Sequence, residues 1–156
     1  MELSVDVSEI IALAKRSEAA PQHITQELSK AGRFSGLAVE RMAKSLIPVA
    51  TGNAKALTRM EPVEASASGV TVLVVSTAQS GAGFPYPIVL EEGRKGFGPV
   101  SKKVLHFTVG GKEVFTKRVG PVAGRPFMQP ALDRCKAFIE AQFKEAYERV
   151  LIYVGG

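Results

Sequence analysis

The sequence predicts a single α+β domain, and three observations support this prediction. Segments with helical spacing of apolar residues lie towards both ends of the chain, β-branched stretches lie between them, and two adjacent glycines join alternating segments as in a hairpin. A chain of 156 residues has the usual size of one domain and buries roughly 70% of its unfolded surface. We expect an antiparallel or mixed sheet of about four to five strands, including a protruding β-hairpin, packed against two amino-terminal helices and one long carboxy-terminal helix.

The amino-terminal part is predicted to be mostly helical. Residues 1–5 alternate weakly and favour a short edge strand, after which Asp6 or Ser8 can cap a helix that runs to about Ala19. A longer helix then has Pro21 in its first turn, a position that proline tolerates because no N–H is needed there. Apolar residues spaced for one buried face of this helix are Ile24, Leu28, Ala31, Ala38, Met42 and Leu46.

Glycine and proline mark the middle and the end of this longer helix. Gly32 and Gly36 should weaken or bend it, because glycine is a poor helix former. Pro48 should end it, since the residue before a proline avoids the helical conformation. A turn over residues 49–53 and a short helical stretch over 54–57 are expected to follow.

Two strand candidates come next. The segment 59–66 contains Pro62, which cannot donate a ladder hydrogen bond, so we expect an edge strand or a bulge there. The segment 70–77 is rich in β-branched residues and apolar on both faces, which is typical of a central strand. Ser68 and Gly69 favour a hairpin turn between the two segments.

The rest of the chain is predicted to hold a loop, a hairpin and a helix. Glycines and prolines over 78–87 predict a loop, and residues 88–93 a short helix or turn. Alternating strands on either side of Gly110 and Gly111 are the clearest hairpin signal in the chain. From Ala131 onward the apolar residues return to helical spacing.

The positive charge is concentrated in one segment. Between Glu91 and Arg125 there are eight Lys and Arg residues and three Glu residues, so this segment accounts for the whole formal charge of +5. Such a segment indicates a surface that meets nucleic acid or an acidic protein face. The alternative is a solubilising surface, because charge on exposed strands also discourages edge pairing.

Composition indicates a cytoplasmic protein without a membrane segment. Glu2 and Asp6 precede any basic residue, which does not fit a secretory signal, and the longest apolar run is about half of the roughly 20 residues that a membrane helix needs. The single cysteine, Cys135, cannot form an internal disulfide and is expected to be a small buried helix residue.

Few residues suggest catalysis. His23 and His106 lie outside any motif, and a catalytic base needs partners that the sequence does not bring near them. Glu91 and Glu92 are adjacent and point in different directions, so a solvated face is expected. We expect no enzyme activity, no cofactor and no metal. A small hydrolase or transferase that uses His106 and a nearby glutamate is the alternative we rank last.

Three stretches, taken in order, resemble a known family. Residues Ile47–Leu57 show a helix ending in a proline, then Thr-Gly and a short helical stretch. Residues Pro85–Val119 show tyrosine, glutamate and glycine followed by a basic loop and a hairpin, and Gly124–Leu132 contain Arg-Pro-Phe and Pro-Ala before the last helix. Together they resemble the tail-completion, or head-tail joining, family of long-tailed bacteriophages, and are similar to the minor tail protein Z of lambda-like phages.

This resemblance implies a structural protein of the virion neck that is assembled in the host cytoplasm. Its subunits would form a ring, usually of six copies, that completes the tail and lets DNA pass through its lumen. The implied partners are further copies of the chain, the head-side connector or stopper, and tail terminator or tail-tube proteins. A tail terminator or a head-closure (stopper) protein is the alternative within this class, and a basic nucleic-acid-binding module is the alternative outside it.

The resemblance also implies roles for individual residues. Bases expected to face the lumen or an acidic partner are Arg94, Lys95, Lys102, Lys103, Lys112, Lys117 and Arg118. Loop residues expected to reach a neighbouring subunit are Phe84, Tyr86, Gly110 and Gly111. The structural motif comprises Thr51 and Gly52 as a tight turn, Glu92 and Gly93 before the basic loop, and Pro126 and Phe127, which should anchor the last helix, with Phe127 in the core.

Overall fold

A computed structural model describes residues 20–48, 52–80, 83–109 and 111–155. The predicted edge strand over 1–5 and the predicted first helix up to Ala19 lie outside these residues. The described residues form four helices and eight short strands in this order: α1 (Ala20–Leu46), α2 (Asn53–Ala56), β1 (Thr58–Met60), β2 (Glu64–Ser66), β3 (Gly69–Thr71), β4 (Val74–Ser76), α3 (Tyr86–Glu92), β5 (Gly93–Arg94), β6 (Leu105–Val109), β7 (Lys112–Thr116), β8 (Val122–Ala123) and α4 (Met128–Gly155).

The two long helices, α1 and α4, pack side by side and run antiparallel. Ile24 near the start of α1 lies in one apolar cluster with Val150 near the end of α4. Val39, further along α1, lies in a second cluster with Cys135 and Ile139 of α4. With 27 and 28 residues at a rise of 1.5 Å each, both helices are about 40 Å long. This pair forms the core of the protein, and Cys135 is buried in it as predicted.

The ends of these helices have identifiable causes. Pro21 lies in the first turn of α1, as predicted, and the helix stops at Leu46, two residues before Pro48. The final helix begins at Met128, three residues earlier than the sequence predicts. Phe127, immediately before it, is fully buried in the second cluster, which confirms its predicted place in the core.

A buried ion pair joins α1 to α4. The Glu27 carboxylate is only 3% exposed, and it accepts hydrogen bonds from Nζ of Lys30 at 2.6 Å and from Nε of Arg149 at 2.5 Å. Burial raises the pKa of Glu27, but the hydrogen bonds and charges of Lys30 and Arg149 outweigh that effect and hold the pKa below its ordinary value. The charged form is therefore the one that connects the helices.

A two-stranded ribbon, which we call the body ribbon (residues 58–76), covers another side of α1. Strand β1 pairs antiparallel with β4, and β2 pairs antiparallel with β3. Between these pairs, residues 61–63 lie opposite residues 72–73, so the first strand carries one extra residue. This is a β-bulge at Pro62, in agreement with the prediction of an edge strand or a bulge.

Gly32 and Gly36 of α1 allow the body ribbon to approach closely. A Cβ atom at Gly32 would lie 2.8 Å from Cγ2 of Val70, and one at Gly36 would lie 2.6 Å from Cγ1 of Val72. The two glycines therefore supply packing space, whatever they cost in helix propensity. A hydrogen bond adds to this contact, because the Met60 N–H donates to Oε2 of Glu40 on α1 at 2.8 Å.

The predicted α+β class is confirmed, but the predicted sheet of four to five strands is wrong for the described residues. Each strand there pairs with one neighbour, which gives two-stranded sheets only. The segment 70–77 is accordingly not a central strand but is divided into β3 and β4. One face of the body ribbon is covered by α1, and its other face is open to solvent at Leu73, which is 57% exposed.

Candidate contact surface on an exposed arm

The segment that carries the predicted lumen-facing bases forms a long two-stranded arm (residues 93–123) that leaves the body between α3 and α4. At its base the Arg125 N–H donates to the Leu90 carbonyl oxygen at 2.6 Å. The Glu91 carboxylate accepts hydrogen bonds from the N–H groups of Met128 at 2.6 Å and Phe127 at 3.2 Å. It thus caps the amino terminus of α4, where free N–H groups and the helix dipole favour negative charge. The expectation that Glu91 belongs to a solvated face is wrong.

Two glycines let the strands of the arm meet at this base. Gly93 has φ of 76°, and a Cβ atom there would lie 2.5 Å from the Val122 carbonyl oxygen. A Cβ atom at Gly124 would lie 2.5 Å from the Glu91 carbonyl oxygen. Only glycine fits such contacts between two backbones, which gives Gly93 of the predicted motif a physical reason. Glu92 precedes it as an exposed residue at the end of α3.

The arm has two paired parts separated by a loop. In the first part Gly93 pairs with Ala123, and Phe97 and Val119 exchange hydrogen bonds of 3.0 and 2.8 Å. In the second part β6 pairs with β7, from Leu105↔Thr116 to Val109↔Lys112, which confirms the predicted hairpin. Residues 98–104, which we call the arm loop, lie opposite only residues 117–118. Eight positions of each strand are paired in all.

None of the described residues of the arm is buried. The arm contains seven Lys and Arg residues and one Glu residue, a net charge of +6. Lys102 and Lys103 lie in the arm loop, while Lys117 and Arg118 lie on the strand opposite it, so the pairing brings these four bases to the same level of the arm. The other predicted bases are spread along its length: Arg94 and Lys95 near the base and Lys112 near the tip.

The hairpin carries an apolar face that remains partly exposed to solvent. Cross-strand pairing places Phe107 with Val114, and Leu105 with Thr116, on one side of the ribbon. Phe107 and Val109 remain 37% and 59% exposed. An isolated two-stranded hairpin is marginally stable in water, so a partner that covers this face would stabilise the arm.

His106 and Phe115 lie on the opposite face of the hairpin. Their rings stack at a centroid distance of 4.4 Å, and Nε2 of His106 is 3.5 Å from Oε1 of Glu113. The His106 and Glu113 side chains are 50% and 68% exposed, so neither lies in a pocket that would exclude water from a substrate. The arrangement supports packing between the strands and offers no enclosed place for a reaction.

The predicted inter-subunit residues divide into two groups. Phe84 is 54% exposed in the loop before α3, where its carbonyl oxygen accepts a hydrogen bond from the Ser80 N–H at 2.8 Å. Tyr86 instead packs against the second core cluster, and its hydroxyl is buried. Tyr86 therefore contributes to the fold, and of these two residues only Phe84 is exposed at the surface.

The remaining motif residues have simpler roles. Gly52 has φ of 76° and precedes α2, which agrees with the predicted tight turn, while Thr51 lies outside the described residues. Gly111 has φ of 79° in the hairpin turn, and Gly110 lies outside the described residues. Pro126 is exposed just before the buried Phe127.

The described residues contain no group of three or more His, Cys, Asp and Glu residues that could hold a metal ion. Burial raises the pKa of the Cys135 thiol, which opposes formation of a nucleophilic thiolate. In the part of the chain that the structure covers, no helix combines the length and the apolar character required to cross a membrane.

Sequence reasoning missed two features of this surface. The alternation of Leu105, Phe107 and Val109 signals an apolar face on the hairpin, which the prediction from charge did not include. The capping role of Glu91 joins residues 36 positions apart and has no local signal. No family model, curated protein or solved structure matches the chain.

Proposed function

We propose that this chain is a structural subunit of the neck or tail of a long-tailed bacteriophage, which completes the tail and joins it to the head connector. Copies of the subunit form a ring, and the ring encloses a lumen through which DNA passes. The subunit acts by shape and charge, so no catalytic residue, cofactor or metal is required. The order of the three sequence stretches supports this proposal.

The observation that carries the proposal is the arm. It bears a net charge of +6, contains no buried residue among those described, and exposes apolar side chains as well as bases. A monomer gains little from such an arm, because the arm adds exposed apolar surface and charge repulsion without a core. In a ring, each arm can cover its apolar face on a neighbour while its bases form a positive collar around the lumen.

The bases would act on DNA without reading its sequence. Lysine and arginine side chains pair with phosphates, and such contacts weaken steeply as salt concentration rises. The arm contains no recognition helix among its described residues, and a nucleic-acid-binding module would have to use its two-stranded ribbon in a groove instead. Weak contacts suit a lumen, because DNA must move through it.

Electron microscopy of the virion and of the purified full chain would test the proposal. We expect rings in the purified protein and matching density at the junction of head and tail. Density at the end of the tail tube alone would favour a tail terminator, and density that closes the head before tail attachment would favour a stopper. Monomers at all concentrations, with no density in the virion, would contradict the whole class.

A basic nucleic-acid-binding module is the second candidate. The four bases at the level of the arm loop and the exposed rings of Phe97 and Phe115 favour it, because bases and aromatic side chains together bind single strands. Retention on duplex and single-stranded DNA at low and moderate salt separates the two candidates. A monomer that binds tightly, and loses binding when Lys102, Lys103, Lys117 and Arg118 are changed to Glu, favours the module.

The enzyme alternative has its own test. Under our proposal a His106→Ala variant assembles like the wild type, because the contacts of His106 are with Phe115 and Glu113 of its own hairpin. A defined turnover that this substitution abolishes would overturn the structural assignment.

A further inference from the structure

Two exposed surfaces of the chain complement one another in charge and in apolar character. The first is the arm loop, in which Val100 is fully exposed and Val104 is 37% exposed. Lys102 and Lys103 lie between these valines in sequence, and Lys117 and Arg118 lie on the strand opposite. The loop therefore presents apolar side chains surrounded by positive charge.

The second surface is a cleft beside the bulge of the body ribbon, which we call the bulge cleft. Its volume is about 270 Å³, and it is lined by Glu61, Pro62, Glu64, Thr71 and Leu73. This volume is below the roughly 300–1,000 Å³ typical of drug-sized ligands, so the cleft suits a side chain better than a cofactor. Leu73 is 57% exposed, and two carboxylates lie beside it.

We propose that the arm loop of one copy docks in the bulge cleft of the next copy. The lysines and Arg118 pair with Glu61 and Glu64, and the two valines cover Leu73. The positive collar around the lumen is then formed by the other bases of the arm, Arg94, Lys95 and Lys112. This inference rests on the proposed function and names its subunit contact. A contact between two different surfaces is heterologous, and repetition of such a contact builds a ring when the rotation closes.

The same observations disfavour nucleic acid as the occupant of this contact. Phosphates would neutralise the lysines but leave Val100 and Val104 in water, and they would be repelled by the carboxylates of the bulge cleft. A second copy satisfies both sets of groups at once. The Glu61 carboxylate already accepts a hydrogen bond from Nε of Arg59 at 3.1 Å, which holds it at the rim of the cleft.

Charge reversal in the full-length chain tests the contact. The arm variant is Lys102→Glu/Lys103→Glu, and the cleft variant is Glu61→Lys/Glu64→Lys. We expect native mass spectrometry and sedimentation to show rings for the wild type and a loss of roughly tenfold or more in assembled protein for each variant. A chain with all four changes should recover assembly, because the arm loop is then acidic and the bulge cleft is then basic, so the two surfaces attract one another again. The matched control, Glu140→Lys/Glu148→Lys, makes the same charge change on exposed positions of α4 and should assemble normally.

Photocrosslinking supplies a second measurement that does not depend on charge reversal. With Leu73 replaced by the photoreactive p-benzoylphenylalanine, we expect a covalent dimer whose linked peptide comes from residues 98–118 of another copy. Links to other parts of the chain, or a cleft variant that assembles like the wild type, would overturn the docking contact while wild-type rings keep the proposed function. A wild type that remains monomeric would overturn both.

Discussion

Replacing Glu27 with glutamine should weaken the attachment of α1 to α4. Glutamine keeps the size and shape of the side chain but has no charge and only one acceptor oxygen, so it cannot accept hydrogen bonds from both Lys30 and Arg149 as the two carboxylate oxygens of Glu27 do. Glu27 is 3% exposed and accepts hydrogen bonds from residues on both helices. The substitution therefore acts on the contact that joins the first part of α1 to the last part of α4.

The expected loss is about 2 kcal/mol in the free energy of unfolding. A hydrogen bond to a charged group contributes about 1.5–3 kcal/mol, and Glu27 accepts two of them. The sum is reduced because Lys30 and Arg149 are 60% and 45% exposed and can be solvated again in the variant. For a chain of this size a loss of about 2 kcal/mol lowers Tm by roughly 4–8 °C.

The loss should depend on pH. The pKa of Glu27 is lower in the folded than in the unfolded chain, so its contribution is present above the unfolded value and disappears as the pH falls through the folded value. The difference between wild type and Glu27→Gln should therefore be largest near pH 7 and shrink below about pH 4.

Urea unfolding followed by circular dichroism at a series of pH values measures this difference. The control is Glu148→Gln, which removes the same charge from an exposed position of α4. If both variants lose the same stability at pH 7, or if the Glu27→Gln difference grows on acidification, the proposed role of the buried ion pair is refuted.

Three further substitutions probe the arm base and the packing. Glu91→Ala removes the cap of α4, which should cost about 1–2 kcal/mol and accelerate hydrogen exchange at the first amides of that helix; unchanged exchange would contradict the capping role. Gly32→Ala places a methyl group 2.8 Å from a valine of the body ribbon and should destabilise by about 1 kcal/mol in urea unfolding, although alanine favours helix. Gly120→Ala has open space around it and should stay within about 0.5 kcal/mol of the wild type, so a stabilised Gly32→Ala would disprove the close contact. Phe127→Ala should lower the free energy of unfolding by about 3–5 kcal/mol in thermal unfolding, and Phe84→Ala should lower it far less, because of the two only Phe127 is fully buried. Similar losses for both variants would contradict the position of Phe127 in the core.

Local signals in the sequence predicted several elements because the backbone chemistry of one residue decides them. Pro48 ends α1, Pro62 produces the bulge, and Gly111 lies at positive φ in the turn of the hairpin. Each of these features follows from the missing N–H of a proline or from the freedom of a glycine at positive φ, and none of them depends on distant residues.

Features that depend on distant residues could not be predicted in this way. The segment 70–77 is apolar on both faces, which is typical of a central strand, yet only one face is covered by α1 and Leu73 stays exposed. Apolar periodicity reports that a face can be buried and does not say what covers it. The hydrogen bonds from Glu91 to α4 likewise depend on a tertiary contact.

The candidate site was predictable in charge but not in shape. The excess of Lys and Arg residues predicted which segment carries the positive charge, and the glycine pair predicted the hairpin within it. The pairing of Phe97 with Val119, which brings Lys117 and Arg118 opposite the arm loop, joins residues 22 positions apart and has no local signal in the sequence.

Because Gly93 and Ala123 are paired partners, the chain enters and leaves the arm at one point. The distance between the two ends of the arm is therefore the same whether the present 29 residues or a tight turn lie between these positions. Equal deletions or additions in both strands change the reach of the arm while leaving the helix pair and its connections untouched. The arm is thus a separable module, and its length and charge can be altered for a different partner without redesign of the core.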